Sequence, residues 1–177
     1  MRLLWDRGAV VLATAVRLSL PPTGRTSAVT PERALHEVSP RVPVGYVSGV
    51  FDMFHIGHLN VISRARECCD LLVVGVLTDA ESIVSKGRPP VVPEDERLAI
   101  VRALGMVDEA MLDPSLDKSV AWRIRSFDVL YKGDDWRGTE RGRRLEEQLA
   151  SVGARVEYFP YTVHTSSTVL RRHLEGA

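Results

Sequence analysis

The sequence predicts an α/β fold, a doubly wound sheet of five parallel strands with helices on both faces. Three observations carry this prediction. Short β-branched runs alternate along the chain with segments of helical spacing, the pattern of repeated βαβ units with right-handed crossovers. One of the runs, LLVVGVL at 71–77, is apolar throughout, as a strand covered on both faces must be. Polar residues suited to ligand chemistry then gather just after the strands, on the edge where open parallel sheets keep their clefts.

Residues 1–42 stand apart. They begin apolar and turn to Pro, Thr, Ser and Arg without a sustained period, so an N-terminal extension, poorly ordered or loosely packed, is expected there, ahead of a domain over 43–177. The apolar stretch 8–16 is preceded by Asp6 and interrupted by Arg17, which argues against a secretory leader. It also falls well short of the roughly 20 residues a bilayer span needs.

From Val44 the elements follow in order. VGYVSGVF (44–51) reads as a strand, HLNVISRAREC (58–68) as a helix, and LLVVGVL as the second strand, followed by a loop carrying Lys86, Gly87 and Arg88. PEDERLAIVRAL (93–104) has Pro at a helix start and acids in its first turn. VDEAML (107–112) reads as the third strand, Lys118–Ser126 as a helix, DVLYKG (128–133) as the fourth strand and TERGRRLEEQLASVG (139–153) as a helix closed by Gly153. ARVEYF (154–159) is the fifth strand, and a last helix opens at TSSTVLRRHL (165–174).

Charge and cysteine content narrow the function classes. The chain has 23 Lys plus Arg against 23 Asp plus Glu, so no global field favours nucleic acid or an anionic membrane surface, and an anionic ligand must be captured locally. Cys68 and Cys69 are adjacent on a predicted helix. They lack metal-site spacing and read as buried small apolar residues of a reducing compartment.

Local anion capture has candidate residues. His55, Gly57 and His58 lie at the mouth of the first helix, where free N–H groups and the helix dipole favour an anion and Gly57 admits a close backbone approach. Two imidazole donors there could hold phosphate oxygens and stabilise a five-coordinate phosphorus. The rival readings are a metal pair, which lacks a third ligand at familiar spacing, a general base, and two histidines satisfied by backbone. Thr165, Ser166, Ser167 and Thr168 precede another helix; one would suffice as a cap, and the surplus suggests a second phosphate cradle. Lys86 and Arg88 could screen phosphate charge. In GDDW, Asp134 could accept ribose hydroxyls and Trp136 could wall the pocket. Neither a P-loop nor a G-x-G-x-x-G fingerprint occurs.

The stretch from Val44 to about Leu174 resembles the cytidylyltransferase-like family of nucleotidyltransferases. GVFDMFHIGH (49–58) is similar to its G-x-F-D-x-x-H-x-G-H signature and TSSTVLR (165–171) to its hydroxyl-rich second signature. The resemblance implies that a substrate phosphate attacks the α-phosphorus of a nucleoside triphosphate and releases pyrophosphate. It implies contacts of His55 and His58 with the triphosphate and its transition state, of Ser167 and Thr168 with the outer phosphates, and of Val50, Phe51 and Gly57 with the nucleotide. Lys86 and Arg97 are carried over as catalytic cations, with magnesium accompanying the triphosphate, in a cytoplasmic homodimer.

GDDW is similar to the glycerol-3-phosphate cytidylyltransferases, which points to CTP as donor and glycerol 3-phosphate as acceptor. The segment 86–109 resembles heptose-phosphate adenylyltransferases and archaeal FAD synthetases equally well, so adenylyl transfer is the alternative. Two cations usual in cytidylyltransferases of the glycerol phosphate, choline and ethanolamine type have no counterpart: Tyr161-Thr162 stands where an Arg-Thr pair is usual, and Leu104-Gly105-Met106 lacks the arginine expected before the third strand. A nucleotide-binding sensor on the same fold is the third reading.

Overall fold

A computed structural model describes residues 43–160 and 166–175. Strands β1 (Val44–Gly49), β2 (Leu71–Leu77), β3 (Glu109–Asp113), β4 (Val129–Gly133) and β5 (Arg155–Phe159) form one sheet. The helices are α1 (Ile56–Glu67), α2 (Asp79–Lys86), α3 (Glu94–Arg102), α4 (Lys118–Ile124), α5 (Glu140–Ala150) and α6 (Ser167–Glu175), and a 3₁₀ turn (Asp134–Trp136) follows β4. The expected extension over 1–42 lies outside the described residues.

The strands run parallel in the order β3-β2-β1-β4-β5. The chain therefore winds outward from β1 first to one side and then to the other, and the strand order reverses between β1 and β4. That reversal opens a crevice at the carboxyl edge. Alternation along each strand separates two cores. Val47, Leu72, Val74, Val76 and Tyr131 meet Phe51 and Ile62 on one face. Tyr46, Val73 and Leu130 meet Ala121, Phe127, Leu145 and Leu149 on the other.

Of the two cysteines expected to be buried, Cys68 is exposed and Cys69 half-buried. The five strands and their helices follow the sequence reading, with element ends shifted by up to three residues and one helix added. α2 was not expected: it has eight residues, too few for a clear period, and is defined by its ends, the Thr78 hydroxyl accepting from the Glu81 amide and Gly87 in the left-handed region. The expected loop residue Lys86 is therefore the last residue of a helix. β1 stops at Gly49 rather than Phe51, because Phe51 (φ 56°) and Met53 (φ 48°) turn left-handed. β3 starts at Glu109 instead of Val107, since the Val107 amide turns back to the Leu104 carbonyl; the Asp108 amide donates to Leu72 of β2 and leads into the ladder. Among the described residues no helix is long and apolar enough to cross a membrane.

Candidate active site

The loop leaving β1 builds the first wall of the site. Left-handed φ values at Phe51 and Met53 flank Asp52, a costly conformation for non-glycine residues that persists only where surroundings fix it. Phe51 supplies part of that fixing, its ring 2% exposed in the core. Asp52 supplies the rest. Its Oδ1 accepts from the Val91 and Val92 amides, both at 3.0 Å, and its Oδ2 from Arg171 at 2.8 Å. Its carbonyl accepts from the Ser167 hydroxyl at 2.8 Å. One residue thus clasps the β1 loop, the segment before α3 and the start of α6. Burial alone would raise the Asp52 carboxyl, but the two amides and Arg171 outweigh it and hold the carboxyl below its ordinary range.

The histidines sit where the sequence reading put them. His55 is the N-cap of α1, and its Nδ1 accepts from the Gly57 amide at 3.1 Å. That hydrogen bond assigns the proton of the neutral ring to Nε2. The Gly57 amide is consumed by this cap rather than offered to a ligand. The His58 ring stacks on His55 with centroids 3.8 Å apart and packs edge-on against Phe51 at 5.2 Å. Burial, then the neighbouring His55 and Lys86, push His58 down to about 3; burial and Lys86 lower His55. Both rings are neutral donors at pH 7. His58 Nδ1 is buried without a partner among the described residues, so the backbone does not satisfy this ring.

α2 and α6 complete the cationic side. Lys86, Arg88 and Arg171 line a narrow recess with Asp52, Ser167 and Thr168. Burial lowers Lys86, with Asp52 opposing and Arg88 and Arg171 reinforcing. Ser166 caps α6 through the Val169 amide at 3.3 Å. Ser167 spends its proton on Asp52, so it offers a ligand only acceptor capacity and its backbone. Ser166, Ser167 and Thr168 all reach the main cleft, while Thr165 lies outside the described residues.

Arg97 corrects the expectation made for it. It is fully buried, donating through Nε to the Val92 carbonyl, through Nη1 to the Val50 and Leu77 carbonyls, and through Nη2 to Asp79. Its guanidinium ties the carboxyl ends of β1 and β2 together and does not line the cleft. It is a positioning residue, committed to the scaffold through these hydrogen bonds.

The cleft itself measures about 690 Å³ and runs from His55, His58 and Val50 across the switch point to β4 and α5. On that far side Asp135 and Trp136 line it, whereas Asp134 does not. The carboxylate facing the cleft is the second of the pair. Beneath lies a buried network in which Asp113 Oδ2 accepts from Tyr46 at 3.0 Å, Ser48 at 2.8 Å and Lys118 at 2.6 Å. Gly75 makes room for it, since a Cβ there would lie 1.8 Å from the Tyr46 hydroxyl. Lys132 Nζ donates to the Ser48 carbonyl at 3.1 Å and lies 4.4 Å from the Trp136 ring centroid.

Asp52 and the Asp113–Lys118 pair were missed by sequence reasoning, and Lys132, read at the end of the fourth strand, was given no role. Asp52 was within reach, as the acid of the G-x-F-D pattern; the others carry no local signal. For magnesium, no group of three or more His, Cys, Asp or Glu converges among the described residues. The carboxylate nearest the phosphate side, Asp52, is already engaged. The described side chains do not form a metal cage.

Residues 46–173 match the family described as cytidylyltransferase-like. Ethanolamine-phosphate cytidylyltransferase of Arabidopsis thaliana is 50% identical over 95 residues, 51% of this chain and 22% of that protein. Bifunctional protein HldE of Campylobacter concisus is 38% identical over 99 residues, 55% of this chain and 21% of that protein. The chain thus spans about a fifth of each. FAD synthase of Pyrococcus abyssi is 35% identical over 112 residues, covering 63% of this chain and 74% of that protein. Among solved structures, the lipopolysaccharide core biosynthesis protein from Thermoplasma volcanium aligns over 70% of this chain and 99% of its own, with a TM-score of 0.59 and 25% identity.

Proposed function

Because this chain belongs to the cytidylyltransferase-like family of nucleotidyltransferases, we propose that it transfers CMP from CTP to a phosphorylated small alcohol and releases pyrophosphate. The observation that carries the proposal is the stacked, neutral His55–His58 pair at the mouth of α1, facing one cleft with the hydroxyl-rich start of α6. An oxygen of the acceptor phosphate attacks the α-phosphorus, and the bond to the β-phosphate breaks as pyrophosphate leaves. The attacking oxygen is already ionised, so no general base is required and positioning with electrostatic stabilisation suffices. His55 and His58 donate to oxygens whose charge grows at the α-phosphorus. Lys86, Arg88 and the start of α6 take the outer phosphates. Magnesium, when bound with the triphosphate, would neutralise part of its charge, held mainly through phosphate and water rather than by side chains of this chain.

For the acceptor, GDDW supports glycerol 3-phosphate, and the likeness to ethanolamine-phosphate cytidylyltransferase supports ethanolamine phosphate. Both are phosphate monoesters of small alcohols. Adenylyl transfer is the second reading, favoured by the likeness to HldE and FAD synthase. A catalytic domain over 43–177, a homodimer and a cytoplasmic setting belong to the same proposal. The test is pyrophosphate release with CTP, ATP, GTP or UTP against glycerol 3-phosphate, ethanolamine phosphate, sugar phosphates and FMN. CTP must be the preferred donor, and ATP preference moves the chain to the adenylyl reading.

A further inference from the structure

The reaction brings together two anions, and the cations of the cleft divide between its two sides. Lys86, Arg88 and Arg171 gather near Asp52 and the start of α6. On the other side of the switch point the cleft is lined by Arg141, by Arg144, which pairs with Glu140, and by Lys132. Lys132 follows Leu130 by two residues on β4, so it shares the sheet face that α4 and α5 cover, away from α1 and its histidines.

The surroundings of Lys132 are unusual for an ammonium. Of its three N–H donors, one meets the Ser48 carbonyl, and the Trp136 ring lies beside the head group. No carboxylate lies within ion-pair distance of it among the described residues. Asp113, the nearby buried acid, is neutralised by Lys118 and hydrogen-bonded by Tyr46 and Ser48. Asp135 faces the same cleft without pairing to it. Burial, then Lys118, pull Lys132 down to about 8, with Asp135 and Asp113 opposing and Lys86 adding to the depression. A half-buried cation held by neutral partners at the wall of a cleft gains from an incoming anion.

We propose that Lys132 is the cation that receives the acceptor's phosphate, so that a phosphate monoester binds between Lys132 and the histidines with Trp136 beside it. This rests on the transfer reaction proposed above. Lys132 offsets the repulsion between acceptor phosphate and triphosphate as the attacking oxygen approaches, and it takes no proton in the step.

The full chain with Lys132→Met, which keeps most of the aliphatic stem, and with Lys132→Arg tests this. With CTP and the better of glycerol 3-phosphate and ethanolamine phosphate, Lys132→Met is expected to raise the acceptor KM at least tenfold while the CTP KM stays within twofold, and Lys132→Arg to recover part of the loss. In the wild type kcat/KM for acceptor should fall above about pH 8, and Lys132→Met should lose that inflection. An unchanged acceptor KM, or a loss falling on CTP instead, overturns the proposal while leaving nucleotidyl transfer standing. If the wild type releases no pyrophosphate with any donor and acceptor, the functional reading fails. The NMR titration of the Lys132 side chain then decides separately: inorganic phosphate or ethanolamine phosphate must raise its apparent pKa, and no response overturns the assignment.

Discussion

Arg171 on the last helix donates to the carboxylate of Asp52 in the loop after the first strand, at 2.8 Å and across 119 positions of sequence. The two side chains are 16% and 5% exposed, so the pair is shielded from the screening that weakens surface ion pairs. Through it the helix N-terminus proposed to bind phosphate is fixed to the loop that carries the histidines.

Asp52→Asn keeps the shape and removes the charge. Hydrogen bonds to charged groups contribute about 1.5–3 kcal/mol each, so a stability loss of that order is expected, along with weaker CTP binding. Because the folded-state carboxyl is held below its ordinary value of 3.8, its contribution is present above that pH and is lost as pH falls through the folded value. Urea midpoints of the two proteins should therefore converge in strong acid. A constant difference down to the lowest accessible pH would contradict this.

The His58 ring should be neutral throughout the usual assay range, its resonances titrating only towards about 3 in the ligand-free protein. The His55 ring should titrate below its ordinary value. CTP, by bringing anionic oxygens beside the rings, should move both upward. His58→Ala should lower kcat by about two or more powers of ten with cooperative folding retained. Near-normal turnover in a folded variant would return the ring to a structural role.

Arg97→Met separates scaffold from chemistry. Removing the buried guanidinium takes the donor from the Val50, Leu77 and Val92 carbonyls, at about 1–3 kcal/mol for each group left unsatisfied, and should lower Tm sharply; Asp79, 40% exposed, returns to solvent, and Arg97→Lys should recover only part because one ammonium cannot span the three carbonyls. If either variant keeps the wild-type Tm and loses only kcat, Arg97 acts on substrate after all.

These contrasts mark what the sequence could reveal. The Leu71–Leu77 run and the residues after each strand disclosed the sheet and its active edge, because strand burial and βα loops are local features. Arg97 misled because an arginine in an amphipathic helix looks the same whether its guanidinium meets phosphate or three carbonyls. Asp134 and Asp135 are adjacent, and only the geometry of the 3₁₀ turn decides which one faces the cleft. The Lys118–Asp113 pair joins α4 to β3, yet neither position differs locally from a surface charge.

A chain beginning at Pro43 should fold cooperatively and retain nucleotidyl transfer, since β1 opens at Val44 and the candidate site draws on residues from Val47 onward. Circular dichroism and pyrophosphate release measure this. Loss of either would give residues 1–42 a part in the domain.

The central claim is most directly tested by following ³¹P NMR of wild-type protein with CTP, magnesium and each acceptor phosphate in turn. Loss of the acceptor monoester signal and appearance of pyrophosphate and of a diphosphodiester pair in equal amounts are expected, each slowed by about two or more powers of ten with His58→Ala. Absence of pyrophosphate and diester with every nucleotide and acceptor, from folded protein that binds CTP, would contradict the claim.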